Sequence, residues 1–266
     1  MCEIQDIIHW IRTRNFVIYG TGSIGKRFYR QVQRIGSCGN VVAFAETNVD
    51  GEKIIDNKMV ESIYMVSKDT LVFIAAHEAN ALEMKNILET YEYQQYIWIY
   101  PYLFELELGY PLASDIPIHV NRILVSLKNV YKPAICYLSL KKYCNSNMDA
   151  GKLYIKMLKY YTSLDTGRKR WERFCQKIEK CRQDGFFQDF NIKVDEKHRI
   201  IDGFHRLVLA KCFGVNILSC DVYHCDEYYM KNCDRVCEEE LKKIFDAAEI
   251  ESIKCADREM RSGIYD

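Results

Sequence analysis

Residues 16–46 read FVIYGTGSIGKRFYRQVQRIGSCGNVVAFAE, and this order of apolar runs and glycines decides the expected fold. The apolar run Phe16–Tyr19 leads directly into the glycine turn Gly20–Gly25, a helical pattern follows, and a second apolar run ends on Glu46. Glycines at such a turn let the backbone approach a phosphate closely, and the first amides of the helix face the anion. The stretch therefore predicts a strand, a phosphate-binding turn, a helix and a second, parallel strand.

Apolar runs further along the chain extend this pattern. Residues 70–75 and 96–99 are typical of two more buried strands, and residues 79–91 are typical of a helix between them. Buried strands that alternate with amphipathic helices predict a parallel sheet with helices on both faces. A stretch with three prolines then predicts a connection between domains. We expect a nucleotide-binding α/β domain over residues 1–110 and a second domain over residues 118–266.

The first glycine turn is also a candidate dinucleotide site. Glu46 lies about twenty residues after it, where a carboxylate accepts hydrogen bonds from a ribose diol. Residues 14–105 resemble the Rossmann-like nucleotide-binding fragments that accompany bacterial surface-polysaccharide and nucleotide-sugar enzymes, and the resemblance implies NAD as a candidate cofactor. Such fragments often keep the fold but no longer bind the cofactor. A site that binds a dinucleotide and a fold that binds none therefore both stay open. The dinucleotide-binding candidates are Gly20, Thr21, Gly22, Ser23, Ile24, Gly25 and Glu46.

The composition excludes several classes of protein. With 48% hydrophobic and 28% charged residues, the chain is of ordinary globular type. Basic and acidic residues are equal at 37 each, so no overall field attracts nucleic acid, and DNA is not expected as a partner. No apolar run approaches the roughly 18 residues that span a membrane. The 12 dispersed cysteines favour reduced thiols in a cytoplasmic protein, and a homo-oligomer is compatible with this composition.

A second glycine turn lies within residues 192–206, which read IKVDEKHRIIDGFHR. Two short apolar runs on either side of a charged turn predict a hairpin, and its second strand leads into Asp202 and Gly203 at the start of a helix. The unpaired amides of that first helical turn can bind an anion, and Arg206 would add charge-assisted hydrogen bonds. The sequence therefore predicts a second phosphate site.

Residues 134–223 resemble the ParB/sulfiredoxin-like superfamily. The similarity lies in the string IKVDEKHRIIDGFHRLVLAKCFGVNILSCDVY at residues 192–223 and in the preceding helix, which ends IEKCRQDG. The resemblance implies an α+β domain that binds the phosphates of ATP, ADP or CTP. The turn is also similar to the DGHxR loop of ADP-dependent free-serine kinases, which implies Asp202 as a general base or as the anchor of a substrate hydroxyl. The residues that the resemblance assigns to the phosphates are Gly203, Phe204, His205 and Arg206.

The sequence departs from each branch of that superfamily. Sulfiredoxins carry a cysteine where this chain has Phe204, so we expect no reduction of sulfinic acids. The DNA-segregation proteins carry a Gly-Glu-Arg-Arg type of box, whereas this turn reads Gly-Phe-His-Arg. The serine kinases use a glutamate near the first strand of the domain, and residues 138–142 contain none. Serine is therefore unsupported as the acceptor.

A helix that we expect to end near Gly185 carries an unusual excess of positive charge. A solvated surface explains most such runs. The alternative is a helix that faces an anion, with Arg168, Lys169 and Arg170 of its first turn bound to phosphate. Its basic residues are Arg168, Lys169, Arg170, Arg173, Lys177, Lys180 and Arg182.

Three further patterns have structural interpretations. Four cysteines and a histidine crowd together near the C-terminal end, but without paired C-x-x-C motifs they predict no metal site. Residues 134–138 predict a strand, and residues 234–253 predict one amphipathic helix. The crowded residues are Cys220, His224, Cys225, Cys233 and Cys237.

These patterns favour a kinase-like phosphotransferase that uses ATP or ADP with Mg²⁺ on a small hydroxylated metabolite, in the setting of surface-polysaccharide metabolism. In this hypothesis Asp202, His205 and Arg206 are the catalytic residues. One alternative is an NAD-dependent oxidoreductase or a nucleotide-sugar-modifying protein. Its support is limited, because the two Tyr-x-x-x-Lys matches are as many as a chain with 19 tyrosines contains by chance. The other alternative is a non-catalytic nucleotide-binding sensor or scaffold.

Overall fold

The structure of the protein is a computed structural model that describes residues 3–49, 51–188, 190–232 and 236–262. The chain divides into two compact units, Met1–Gly109 (unit 1) and Tyr110–Asp266 (unit 2). Both units combine helices with a β-sheet, so the expected mixed α/β class is confirmed. Among the described helices, none is both long and apolar enough to cross a membrane.

Unit 1 is built on a six-stranded sheet in the order β3-β4-β2-β1-β5-β6. All neighbouring pairs are parallel except β3 with β4. If the short β3 is left aside, β2 and β4 follow on one side of β1, and β5 and β6 follow on the other side. This order is that of a doubly wound sheet. The strands are β1 (Phe16–Tyr19), β2 (Val41–Glu46), β3 (Ile54–Ile55), β4 (Lys58–Ser62), β5 (Leu71–Ile74) and β6 (Tyr96–Trp98). The helices are α1 (Ile4–Thr13), α2 (Ser23–Ile35), α3 (Glu78–Thr90) and α4 (Tyr100–Leu108).

The central strands of this sheet are apolar on both faces. Phe16 and Phe73 pack on one side with residues of α1, α2 and α4. Val17 and Ile74 pack on the other side with residues of α3. Every residue of β1 and β5 is buried, which explains why these strands form continuous apolar runs in the sequence. The predicted parallel sheet between helices is therefore confirmed.

Unit 2 contains a four-stranded mixed sheet in the order β7-β10-β8-β9. The pair β10 and β8 is parallel, and the other two pairs are antiparallel. A layer of helices packs with the sheet, and α6 contacts α7, α9 and α12. The strands are β7 (Ala113–His119), β8 (Ile192–Asp195), β9 (Ile200–Asp202) and β10 (Ile217–Tyr223). The helices are α5 (Val120–Ser126), α6 (Lys132–Cys144), α7 (Lys152–Tyr161), α8 (Leu164–Asp184), α9 (Phe204–Cys212), α10 (Glu227–Asn232), α11 (Glu238–Ile244) and α12 (Ala247–Met260).

The predicted strand at residues 134–138 is wrong, because these residues lie in α6. Ala134, Ile135 and Cys136 are all buried, since α6 has helices on several sides. A helix that is buried on several sides loses the polar stripe from which helical periodicity is recognised, and a short apolar run then resembles a strand.

The predicted single helix over residues 234–253 is also wrong in extent. The described part of this region contains two helices, α11 and α12, and Asp234 lies outside the described residues. Asp246 accounts for the break, because its side chain accepts a hydrogen bond from Glu249 N at 2.9 Å and starts α12 as an N-cap.

The prolines of the expected connecting stretch lie in or beside regular elements. Pro101 is in the first turn of α4, where the missing amide proton costs nothing. Pro111 precedes β7, and Pro117 lies within it. Because β7 is an edge strand, it tolerates a residue that cannot donate a hydrogen bond.

Candidate functional site

The glycine turn of unit 1 follows β1 at the carboxyl end of the sheet. Gly20 has φ +115°, and a Cβ atom there would lie 2.6 Å from the carbonyl oxygen of Ala75. A Cβ atom on Gly25 would lie 2.0 Å from the Gly20 oxygen, so backbone packing requires both glycines. A Cβ atom on Gly22 would meet no described atom within 4 Å. Open space therefore lies over Gly22, the residue that precedes α2.

Glu46 faces this turn from the end of β2. Its Oε1 atom accepts hydrogen bonds from the Thr21 hydroxyl and from Lys53 Nζ, the latter at 2.7 Å. Lys53 also donates to Thr21 Oγ1 at 3.1 Å. Ser23 is exposed at the start of α2, whereas Ile24 is buried in the core and can offer a ligand only its amide. The structure thus brings the predicted residues Thr21 and Glu46 together, with Lys53 as an addition that the sequence did not reveal.

The glycine turn of unit 2 joins β9 to α9. Gly203 has φ +116°, and a Cβ atom there would lie 2.9 Å from the side chain of Ile192. The first backbone hydrogen bond of α9 runs from Leu207 N to Gly203 O at 3.0 Å. The preceding amides, of residues 204–206, have no backbone partner recorded in the described part of the chain, as is general for a first helical turn. Phe204 itself is buried, so only its amide can contact a ligand.

We expect Gly203→Ala to lower the free energy of unfolding by about 2 kcal/mol, because a left-handed backbone costs an L-residue about 1–2 kcal/mol and Ile192 must also move. Gly214→Ala is the matched control, since Gly214 has φ +70° with open space around its Cβ position. Its cost should stay near 1 kcal/mol. Equal losses for the two variants in urea unfolding would show that Ile192 does not restrict the turn.

Arg206 and Asp202 form an ion pair across this turn. Arg206 Nη2 lies 3.0 Å from Asp202 Oδ2. Arg206 Nη1 donates to the carbonyl oxygens of Asn191, at 3.1 Å, and Phe190. The Oδ1 atom of Asp202 has no hydrogen bond recorded among the described residues, and its side chain is 33% exposed. Arg206 therefore orients Asp202 and fixes residues 190–191, while one carboxylate oxygen of Asp202 stays available.

His205 is surrounded by aromatic rings and cations. Its ring stacks on Phe174 with a centroid distance of 4.4 Å, and its Nε2 atom lies 2.9 Å from the Tyr154 hydroxyl. Burial, together with the positive charges nearby, lowers the pKa of His205 to about 3. The imidazole is therefore neutral at physiological pH. The charged groups that act most strongly on His205 are Lys132, Lys177, Arg170 and Arg206.

Three of these cations come from helices that pack beside α9. Lys132 begins α6, and its Nζ atom lies 5.0 Å from the Phe204 ring centroid. Arg170 and Lys177 flank Phe174 on α8, four residues before and three residues after it, and therefore share its face of the helix. Within the described residues, neither Arg170 nor Lys177 makes a hydrogen bond or an ion pair. Positive charge from α6 and α8 thus gathers at the first turn of α9.

The structure separates the three basic residues predicted as phosphate contacts. Arg170 joins the group around His205. Lys169 pairs with Asp165 at 3.1 Å on the exposed side of α8, and Arg168 is exposed. Lys177 was recognised only as part of the charge excess, although its helical spacing from Arg170 places both on one face. Nothing in the local sequence pattern indicated Lys132.

The crowded cysteine and histidine residues near the C-terminal end do not converge. Cys220 is buried in β10, His224 Nδ1 lies 2.8 Å from Glu196 Oε2, and Cys237 is exposed at the start of α11. Cys233 lies outside the described residues. In the part of the chain that the structure describes, no three histidine, cysteine or acidic side chains are placed to hold a metal ion.

Comparison of the chain with protein-family models, with curated proteins and with solved structures finds no match.

Proposed function

We propose that unit 2 is a nucleotide-dependent phosphotransferase that acts on a small hydroxylated metabolite and binds the phosphates at the first turn of α9. The observation that carries the proposal is the gathering of Lys132, Arg170 and Lys177 around neutral His205, beside unpaired helix amides. Phosphoryl transfer depends on positioning and on neutralising the charge of the phosphate oxygens, and this arrangement supplies both. The resemblance of residues 192–223 to the ParB/sulfiredoxin-like superfamily supports the same site.

Asp202 is the residue that we assign to the acceptor hydroxyl. Its free Oδ1 atom can accept the hydroxyl proton while Arg206 holds Oδ2 at 3.0 Å. His205, which is neutral, can accept a hydrogen bond at one nitrogen without adding charge. A nucleotide-bound Mg²⁺ takes most of its ligands from phosphates and water, so such an ion needs few ligands from the protein. When bound, the ion would neutralise charge on the transferred phosphate.

Calorimetric titration of ATP, ADP and CTP into the wild type and into single alanine variants tests nucleotide binding. We expect Arg170→Ala to weaken binding about tenfold, the cost of one charge-assisted hydrogen bond. Arg168→Ala is the matched control, because it removes the same charge from an exposed position of the same helix. If none of the three nucleotides binds the wild type, the phosphotransferase proposal is wrong. Equal effects of the two variants would place the phosphates elsewhere.

We also propose that unit 1 has a Rossmann-like dinucleotide site, which would support an NAD-dependent or nucleotide-sugar-modifying activity. The observation in its favour is the open space over Gly22 together with Glu46 at the end of the neighbouring strand. Titration with NAD tests it, since a carboxylate introduced by Gly22→Asp would occupy the pyrophosphate position. If NAD binds and this variant still binds it equally well, the site lies elsewhere.

A non-catalytic sensor or scaffold needs an experiment beyond the two titrations. Such a protein would bind a nucleotide in either unit and show the same variant effects, but it would transfer no phosphate to any acceptor. Phosphorus NMR of ATP incubated with a panel of sugars, polyols and hydroxy acids separates the two cases. Transfer to at least one acceptor supports the phosphotransferase.

A further inference from the structure

A cavity of about 430 Å³ lies in unit 2, at the opposite end of α9 from the glycine turn. It is bounded by the second half of α6 and by the last turns of α8 and α9. The nine residues of α9 separate it from the glycine turn by about 13 Å, at 1.5 Å per residue. A molecule in this cavity could not receive a phosphate bound at the turn. The cavity is therefore not the acceptor pocket of the proposed transfer reaction.

Basic side chains dominate the polar part of the cavity lining. Lys141, Arg182 and Lys211 line the cavity, and the described lining residues include no carboxylate. Lys141 is paired with Glu259 of α12, and Arg182 is paired with Glu179 at 3.2 Å. Lys211 has no hydrogen bond or ion pair to any residue that the structure describes. The ammonium group of Lys211 is therefore available to pair with an anionic group of a ligand in the cavity.

The rest of the lining is largely apolar and uncharged. Leu140 is 2% exposed, so the apolar surface that a ligand can cover comes from the partly buried rings of Tyr137 and Phe213. Burial raises the pKa of the Cys212 thiol to about 12, and burial likewise raises the pKa of Tyr137 to about 12, so both groups stay protonated. An inorganic anion would leave this apolar surface uncovered. A ligand with an apolar body would bury it, at a gain of about 25 cal/mol per Å².

We propose that this cavity binds a small organic acid, whose carboxylate pairs with Lys211 and whose aromatic or branched aliphatic body packs on Tyr137 and Phe213. The volume of the cavity lies within the range of about 300–1,000 Å³ that is usual for small-molecule sites. The proposal does not depend on the phosphotransferase activity. Both sites nevertheless contact α9, one at each end.

Calorimetric titration with 3-phenylpropionate tests the charge requirement, with 3-phenylpropionamide as the uncharged ligand of the same shape. We expect the acid to bind at millimolar concentration or below, and the amide to bind at least about tenfold more weakly. Lys211→Gln should weaken binding of the acid by a similar factor. Lys142→Gln is the matched control, because Lys142 lies on α6 outside the lining. Equal binding of acid and amide, or equal effects of the two variants, would overturn the proposal.

Alkylation of the cysteines locates the ligand. Cys144 lines the cavity and is half-buried, whereas Cys237 and Cys255 are exposed elsewhere. We expect 3-phenylpropionate to slow the modification of Cys144 by N-ethylmaleimide, measured by peptide mass spectrometry, and to leave the two exposed thiols unaffected. Inorganic phosphate should protect none of them. Binding without protection of Cys144 would place the ligand outside the cavity and contradict the proposal.

Discussion

Asp202→Asn is expected to lower kcat for phosphoryl transfer by about 100- to 1,000-fold, within the range for loss of a general base. The amide cannot accept the hydroxyl proton, but its oxygen can still accept the hydrogen bond that Arg206 Nη2 now donates at 3.0 Å. Because the cations that we propose to bind the phosphates come from α6 and α8, the Kd for ATP should change by less than about threefold. A large fall in kcat with little change in nucleotide affinity is the signature that distinguishes a proton acceptor from a structural residue.

The control for this substitution is Asp221→Asn in β10 of the same sheet. Asp221 is partly buried and bonded to Asn191 Nδ2 at 2.7 Å, so it resembles Asp202 in burial and in having a polar partner. It lies two strands from Asp202, with Lys193 of β8 between them, and within the described residues it makes no recorded contact with the glycine turn itself, so the Asp221→Asn variant should keep its kcat. If both variants lose activity in proportion to a loss of thermal stability, Asp202 acts only through the fold. If Asp202→Asn keeps full activity, another group accepts the proton and the assigned role is wrong.

The elements that carry both glycine turns were predictable from local sequence. Phe16–Tyr19, Gly20–Gly25 and Val41–Ala45 have the order and residue types of a strand, a turn and a second buried strand, and these are the elements observed. The hairpin before Gly203 was equally clear, because two short apolar runs enclose a charged turn and both of them pair in one sheet. The residue types of a short segment were sufficient to predict those elements that form from neighbouring residues in the sequence.

The surroundings of His205 were not predictable, because they come from distant parts of the chain. Tyr154 lies 51 positions before it, on α7. Lys132 lies on α6, the helix that contains the residues misassigned as a strand, so its position beside α9 could not be inferred. Local sequence also could not show the partners of Arg206. Its flexible side chain could point towards a phosphate, as the sequence suggested, or towards Asp202 and the backbone carbonyls, as observed.

Acidification from pH 6.5 to 4.5 is expected to lower the free energy of unfolding by about 2 kcal/mol through His205 alone. The unfolded chain takes up a proton on this histidine near pH 6.5, whereas the folded protein does so only near pH 3. Protons therefore favour the unfolded state throughout this range, and stability falls as the pH falls. Most carboxylates remain ionised above pH 4.5, so histidine dominates the slope.

His205→Gln isolates this contribution in urea unfolding followed at several pH values. Glutamine does not titrate, and its amide can still bond to the Tyr154 hydroxyl. His198 contributes in the same direction, because burial and Arg122 lower its pKa, and that contribution remains in the variant. The difference between wild type and variant should therefore change by about 1.4 kcal/mol per pH unit below pH 6.5. A constant difference would mean that His205 has the same pKa in the folded and in the unfolded protein, which contradicts the prediction.

Ligand binding should shift this pH dependence in a direction that tests the site itself. A phosphate placed among Lys132, Arg170 and Lys177 offsets the positive charges that hold the pKa of His205 down, so the pKa rises on binding. Binding of pyrophosphate should then take up protons as the pH falls towards the raised pKa, and its affinity should increase as the pH falls. Calorimetry in two buffers of different ionisation enthalpy measures that uptake. The ligand's own titration is removed by comparison with His205→Gln, and equal uptake by the two proteins would show that the anion does not bind beside His205.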